Sequence, residues 1–244
     1  MKMRVDKFLS IMAVATRSES SKAARQGRIR VNGISCKSAS QQIDPETDVI
    51  EFDGDRINYQ KYVYVLLNKP SGYVSATEDG RDKTVLDLLP ENLQNIGLFP
   101  CGRLDKNTLG VMLLTNNGDL GHRLLSPRYH VTKIYRYCAE RALSDEDVDR
   151  LESGVSILDG YITKPAKVMP YDDRKRGEIS ITEGKYHQIK LMFEAVDNKI
   201  TELERICFGP LAADSSLARG AWRFLTEEEV EALENHCKNK RENQ

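Results

Sequence analysis

The sequence predicts an α+β protein: a small basic α/β unit, then a larger domain with a mixed, largely antiparallel sheet flanked by helices. Three observations predict it. The 244 residues exceed one typical domain and fall short of three. Strand-like runs outnumber helical ones and are interrupted irregularly, as in a mixed or antiparallel sheet. Charge is segregated although the net charge is only −1. Residues 1–37 carry nine Lys and Arg against Asp6 and Glu19, whereas residues 38–57 carry six acids against Arg56 alone.

Composition sets the class. Hydrophobic residues at 40% and charged residues at 30% fit a soluble globular chain and exclude collagen-like, mucin-like and disordered readings. Apolar runs such as Tyr62 to Leu67 are far shorter than the roughly 20 residues of a membrane helix. No apolar run follows the charged start, so a secretory signal is not expected. Cys36, Cys101, Cys138, Cys207 and Cys237 are widely spaced, which fits a reducing cytoplasm and neither a disulfide framework nor a zinc site. The four histidines are scattered, and no metal is expected.

In the first unit, residues 1–56, Val5, Phe8, Leu9, Met12 and Ala13 follow helical spacing and bury one face. Arg4, Lys7 and Arg17 fall outside that stripe. Ser18 is the expected N-cap of a second helix that ends at Gly27 and carries Lys22 and Arg25. Arg28-Ile29-Arg30-Val31 alternates as a strand, and Asn32-Gly33 is a type I′ turn signal leading to a return strand at Ile34 to Cys36. A further strand near Val49 ends at Asp53-Gly54. Phosphate binding depends on local charge and not on the whole-chain sum, so on charge alone this basic cluster is either a phosphate-binding patch or a solvated basic face.

The run Arg4-Val5-Asp6-Lys7-Phe8-Leu9, then Thr16-Arg17-Ser18, then Gly27 to Gly33, resembles the S4 RNA-binding domain. That resemblance implies that Arg4, Lys7, Arg17, Lys22, Arg25, Arg28 and Arg30 contact RNA backbone.

Residues 57–61 lie in a polar, unpatterned stretch and form the expected linker to a second domain at 62–236. Tyr62 to Leu67 reads as a buried strand running into the turn Asn68-Lys69-Pro70-Ser71-Gly72. Thr84 caps a short helix ended by Pro90, and Gly110 to Thr115 is a core strand. Val131 to Ala139 and Glu178 to Thr182 are strands; Ser144 opens a helix that stops at Gly154. Ile189, Met192, Phe193 and Val196 mark another helix. Thr226 and Glu229 form a capping box for the last one. Residues 237–244 are expected to be a polar, frayed tail.

Among loops, Gly102 to Gly110 stands out because it delivers Arg103 and Asp105 from between two strands. There is no nucleophile elbow, zinc helix or phosphate loop. Gly102-Arg103-Leu104-Asp105, followed by Thr108-Leu109-Gly110 and Leu114-Thr115-Asn116-Asn117-Gly118, resembles the signature of pseudouridine synthases that modify ribosomal RNA. Leu67 to Gly72, Lys133-Ile134-Tyr135, Gly184 to Lys190, Leu203-Glu204-Arg205 and Gly220 to Thr226 are similar to further motifs of that family, in the same order.

The resemblance implies an isomerisation needing no cofactor. Asp105 would act at the ribose, by attack on C1′ or by removal of a C2′ proton. Lys190 would keep that carboxylate ionised. Tyr135 would stack on the base and assist loss of the C5 proton. Leu203 would pack the pocket floor, and Arg103 would fill the gap left by the flipped base. Leu191 and Glu204 depart from the family pattern, where a basic residue and a histidine are usual, so weaker phosphate contacts are expected there. Ser126-Pro127-Arg128-Tyr129-His130, Ile162 to Ala166 and Glu183 to Gln188 are similar to small-subunit members of the family. The implied substrate is one uridine of small-subunit ribosomal RNA, probed within an assembly intermediate by a cytoplasmic monomer without membrane contact. Two alternatives are the same reaction on large-subunit RNA and a non-catalytic ribosome-assembly factor. A glycoside hydrolase would need a second carboxylate in comparable context, and the sequence offers none.

Overall fold

The computed structural model describes residues 2–242; Met1, Asn243 and Gln244, the last two in the expected tail, lie outside the described residues. The chain divides into two units. The first runs through Val63 and adds Leu86–Phe99 and Thr115–Asn117; the second takes Tyr64–Val85, Pro100–Leu114 and the chain from Gly118 onward.

The first unit holds β1 (Met3–Arg4), α1 (Val5–Ile11), α2 (Arg17–Arg25), β2 (Ile29–Val31), β3 (Ile34–Ser35), β4 (Gln42–Ile43), β5 (Ile50–Phe52), β6 (Asp55–Ile57) and, later in the chain, α3 (Glu91–Gln94). Val5, Phe8 and Leu9 bury the inner face of α1 against Ala23, Ala24, Ile29, Ile43 and Ile50. The helix stops at Ile11, short of the expected Ala13, whose φ of +57° lies in the left-handed region. Thr16 caps α2, not Ser18: its hydroxyl accepts from the Glu19 amide at 3.2 Å while the Glu19 carboxylate accepts from the Thr16 amide at 2.8 Å. A glutamate three residues after a threonine completes a reciprocal box that Ser18 cannot form. Asn32 and Gly33 both take positive φ (52° and 77°), the type I′ geometry that joins β2 to β3. The four-stranded sheet has the order β3-β2-β5-β6, and β1 pairs with β4. Ile57 belongs to β6, and Tyr59 stacks on Phe8, so the expected linker begins within ordered structure.

The remaining elements are β7 (Tyr64–Lys69), β8 (Phe99–Pro100), β9 (Leu109–Thr115), α4 (Gly118–Leu125), β10 (Lys133–Ala139), α5 (Asp145–Ser153), β11 (Ser156–Ile157), β12 (Tyr161–Ile162), β13 (Lys167–Pro170), β14 (Arg176–Ile181), α6 (Gln188–Glu194), β15 (Ile200–Phe208), β16 (Leu211–Ala212), β17 (Trp222–Phe224) and α7 (Glu227–Glu242). Their sheet has the order β13-β14-β10-β15-β9-β7-β17, with β16 on β15 and β8 on β9. β15 pairs with β9 in parallel, whereas β10 pairs with β14 and β15 antiparallel, as do β13 with β14 and β7 with β17. The sheet is therefore mixed and largely antiparallel, and the protein is α+β. Gly110 makes the parallel pairing possible: a Cβ there would lie 2.1 Å from the Arg205 carbonyl oxygen, and its φ of +103° disfavours any other residue.

Thr226 and Glu229 cap α7 as expected, at 2.9 and 3.3 Å. The helix then continues to Glu242, which corrects the polar tail expected from residue 237. Leu233 and Cys237, one turn apart, are both buried, and that apolar pair carries the helix onward. Among the described residues no helix is long and apolar enough to cross a membrane.

Candidate active site

Asp105 sits in the loop between β8 and β9, and the loop is pinned from beneath. Lys69, at the end of β7, is fully buried. Its ammonium donates to the carbonyl oxygens of Pro70 (3.1 Å), Asp105 (3.1 Å), Lys106 (3.0 Å) and Thr108 (2.9 Å). Burial pushes the Lys69 pKa down to about 8, with nearby Asp105 opposing the shift and Arg205 adding to it. The Ser75 hydroxyl donates to the Leu104 carbonyl at 2.7 Å and accepts from the Leu104 amide at 3.0 Å. The Gly72 amide donates to the Lys106 carbonyl at 2.9 Å. Backbone that would otherwise be free to shift is tied at Leu104, Asp105, Lys106 and Thr108 around the carboxylate.

The carboxylate faces two groups from the start of α6. Lys190 Nζ lies 2.5 Å from Asp105 Oδ2, and His187 Nε2 lies 3.5 Å from Oδ1. His187 precedes the helix with a left-handed φ of +50° and stacks on Tyr186 with 3.8 Å between ring centres. Glu183 fixes the approach to α6 by accepting from Gln188 Nε2 (2.7 Å), the Lys164 amide (3.0 Å) and the Tyr161 hydroxyl (2.6 Å).

The opposite wall comes from the sheet. Tyr135 on β10 is the register partner of Arg205 on β15, and Leu203 lies two residues before Arg205 on the same face. Tyr135 and Leu203 are buried. A cleft of roughly 670 Å³ is lined by Arg103, Asp105, Tyr135, Lys190 and Leu203 together, so all five side chains named from the sequence meet in one place. That volume lies in the range of small-ligand sites and accommodates a nucleoside.

The seven basic residues Arg4, Lys7, Arg17, Lys22, Arg25, Arg28 and Arg30 all belong to the first unit and are exposed. Two have carboxylate partners: Arg4 pairs with Asp6 at 2.5 Å, and Arg28 pairs with Asp53 while lying over the Phe52 ring. Arg17 occupies the first position of α2, where the helix dipole disfavours a cation, so helix stability does not account for it. Glu204, where the sequence departs from the expected pattern, pairs with Arg219 at 2.8 Å and Arg136 at 3.5 Å.

Sequence reasoning assigned no role to Lys69, Glu183 or Arg205, although each lies within a motif picked out from the sequence.

Residues 63–195 match the RNA pseudouridylate synthase family, and residues 3–50 match the S4 domain. The chain belongs to the RNA pseudouridylate synthase family. This pseudouridine synthase, an isomerase, is 43% identical over 234 residues to an uncharacterized RNA pseudouridine synthase of Bacillus subtilis, covering 95% of this chain and 98% of that one. It is 39% identical to ribosomal small subunit pseudouridine synthase A of Yersinia pestis, covering 95% and 98%, and 37% identical to that of Escherichia coli, covering 95% and 100%. A crystal structure of a pseudouridylate synthase aligns with a TM-score of 0.67 at 36% identity, over 95% of this pseudouridine synthase and 99% of the other chain.

Proposed function

We propose that this enzyme converts one uridine of small-subunit ribosomal RNA to pseudouridine, on an assembly intermediate, as a cytoplasmic monomer that needs no cofactor. The observation that carries the reaction is the Asp105–Lys190 pair inside a nucleoside-sized cleft. The choice of ribosomal RNA, and of the small subunit, is supported by full-length likeness to two ribosomal small subunit pseudouridine synthases A.

The target nucleotide flips out of the RNA and enters the cleft, with Arg103 taking the vacated place in the stack. The Asp105 carboxylate acts either on C1′ or on the C2′ proton, and the Lys190 ammonium 2.5 Å away pairs with it. Tyr135 and Leu203 pack the base, and Tyr135 assists proton loss from C5 after the base has turned. The exposed cations of the first unit hold the flanking RNA backbone.

Mapping pseudouridine in ribosomal RNA from cells with and without the protein tests this reading. One lost site in small-subunit RNA, restored by wild type, is expected. A lost site in large-subunit RNA corrects the substrate, and no lost site in either overturns the assignment to ribosomal RNA.

The RNA grip has its own test. Replacing Arg17 and Arg25 together by Glu is expected to weaken binding and to lower the slope of log affinity against log salt by about 1.4 to 1.8, since each lost phosphate contact removes ~0.7–0.9. A filter-binding series over salt concentration reads the slope, and an unchanged slope removes this face from the RNA contact.

A further inference from the structure

Arg205 is a buried cation with no part in the steps proposed for Asp105, Lys190 and Tyr135. It is 1% exposed and lines the cleft beside Tyr135 and Leu203. Its Nε donates to the Val111 carbonyl at 2.8 Å, and its guanidinium lies 4.9 Å from the Phe208 ring centre. Its Nη2 is buried and has no hydrogen-bond partner. Among the described residues no carboxylate forms an ion pair with it. The two acids lining the cleft are engaged elsewhere: Asp105 with Lys190 and His187, Glu183 with Tyr161, Lys164 and Gln188. A buried guanidinium is ordinarily matched by a carboxylate or by a full set of acceptors, because an unpaired one costs several kcal/mol. An anion seated in the cleft would supply the acceptor that Nη2 lacks.

The reaction supplies that anion. When N1–C1′ breaks, the electron pair stays on N1 and the uracil ring takes one negative charge, spread over N1 and the carbonyl oxygens. Asp105 loses its charge in the same event, by bonding to C1′ or by accepting the C2′ proton. Negative charge therefore passes from the carboxylate to the ring. Later C5 bonds to C1′ while the Asp105–C1′ bond breaks, or while Asp105 returns its proton to C2′, so that Asp105 regains its charge. The C5 proton then leaves, N1 takes up a proton, and the product is neutral. Lys190 has its partner before the reaction starts; Arg205 gains one only as the bond breaks. Only an interaction stronger in the transition state than in the ground state accelerates the step. We propose that Arg205 is the cation that stabilises the uracil-ring anion released on cleavage of the N1–C1′ bond. A backbone phosphate fits the site less well, because a residue this buried is reached only by a group inserted between the walls, as the flipped base is.

The inference rests on the Asp105 reading and is tested separately from it. Full-length enzyme is assayed in single turnover on small-subunit ribosomal RNA transcripts made with uridine or with 5-fluorouridine, following loss of the N-glycoside at the target. Fluorine stabilises the ring anion by itself and lessens the need for a cation. Arg205→Gln is expected to slow the uridine substrate by about 100- to 1000-fold, the scale for losing one charge-stabilising donor, and the fluorinated one by at least about tenfold less. Arg205→Lys keeps the charge and is expected to lose less on uridine, with the same relief by fluorine; it decides the matter if the glutamine variant does not fold. Equal losses on both substrates, or no loss, overturn the proposal. An Asp105→Asn control that still turns over overturns the Asp105 reading instead.

Discussion

Asp105→Asn is expected to abolish pseudouridine formation while RNA affinity stays within about threefold of wild type. Asparagine keeps the size of the side chain and an acceptor for Lys190, which lies 2.5 Å away, and removes only the charge and basicity. Asp105 is partly exposed to the cleft, so the neutral amide creates no buried orphan and the fold is retained. No second carboxylate can take over: Glu183 is buried and already accepts three hydrogen bonds. The expected loss in single-turnover rate is at least about 10⁴-fold, as when a reacting group without a substitute is removed. Carbodiimide tagging of a transcript, read by reverse-transcriptase stops, measures it. Turnover near wild type would retire Asp105 from the chemistry.

The parts of this site that were legible in the sequence are those whose partners lie within one short motif. Arg103 and Asp105 share a loop bracketed by Gly102 and Gly110, and that spacing alone marks a loop built to present side chains. The hairpin turn at Asn32-Gly33 was legible for the same reason: positive φ at two adjacent positions selects few residue types. Asp53-Gly54 has the same geometry but was read only as the end of a strand, because the return strand Asp55–Ile57 is short and polar. Lys69 was not, because its acceptors at Asp105, Lys106 and Thr108 are backbone carbonyls some forty residues away, and any residue supplies a carbonyl. Arg205 was hidden differently. Its burial follows from the approach of β9 at Gly110, a pairing that strand patterns do not specify. The shifted cap at Thr16 and the extended last helix were local errors, in which a reciprocal side-chain box and one buried i, i+4 pair outweighed polar composition.

Lys69→Met should separate the scaffold of the catalytic loop from its chemistry. Methionine fills the same space and donates nothing, so the carbonyls of Pro70, Asp105, Lys106 and Thr108 lose their common donor. The Lys106 carbonyl keeps the Gly72 amide and the Asp105 carbonyl keeps the Thr108 amide, so Pro70 and Thr108 lose most. An unpaired buried carbonyl costs about 1–3 kcal/mol, and removing the buried charge returns part of that. The expected net destabilisation is about 2–4 kcal/mol, readable in denaturant unfolding. The single-turnover rate is expected to fall by about 100-fold, the consequence of a misplacement near 1 Å in Asp105. The pH dependence gives an independent check. Lys69 has its pKa pushed down to about 8 in the folded protein, below the ~10.4 of an unfolded chain. Between those values the unfolded state binds more protons, so the Lys69 contribution to unfolding free energy rises with pH. Activity should move the other way, because a neutral amine has two protons for four carbonyls and the loop loosens as pH passes about 8. Wild type is therefore expected to lose activity above that pH without a matching loss of stability from this group, and Lys69→Met to lack that step in both measurements. A methionine variant with wild-type stability and an unchanged pH–rate profile would show that Lys69 does not hold the loop.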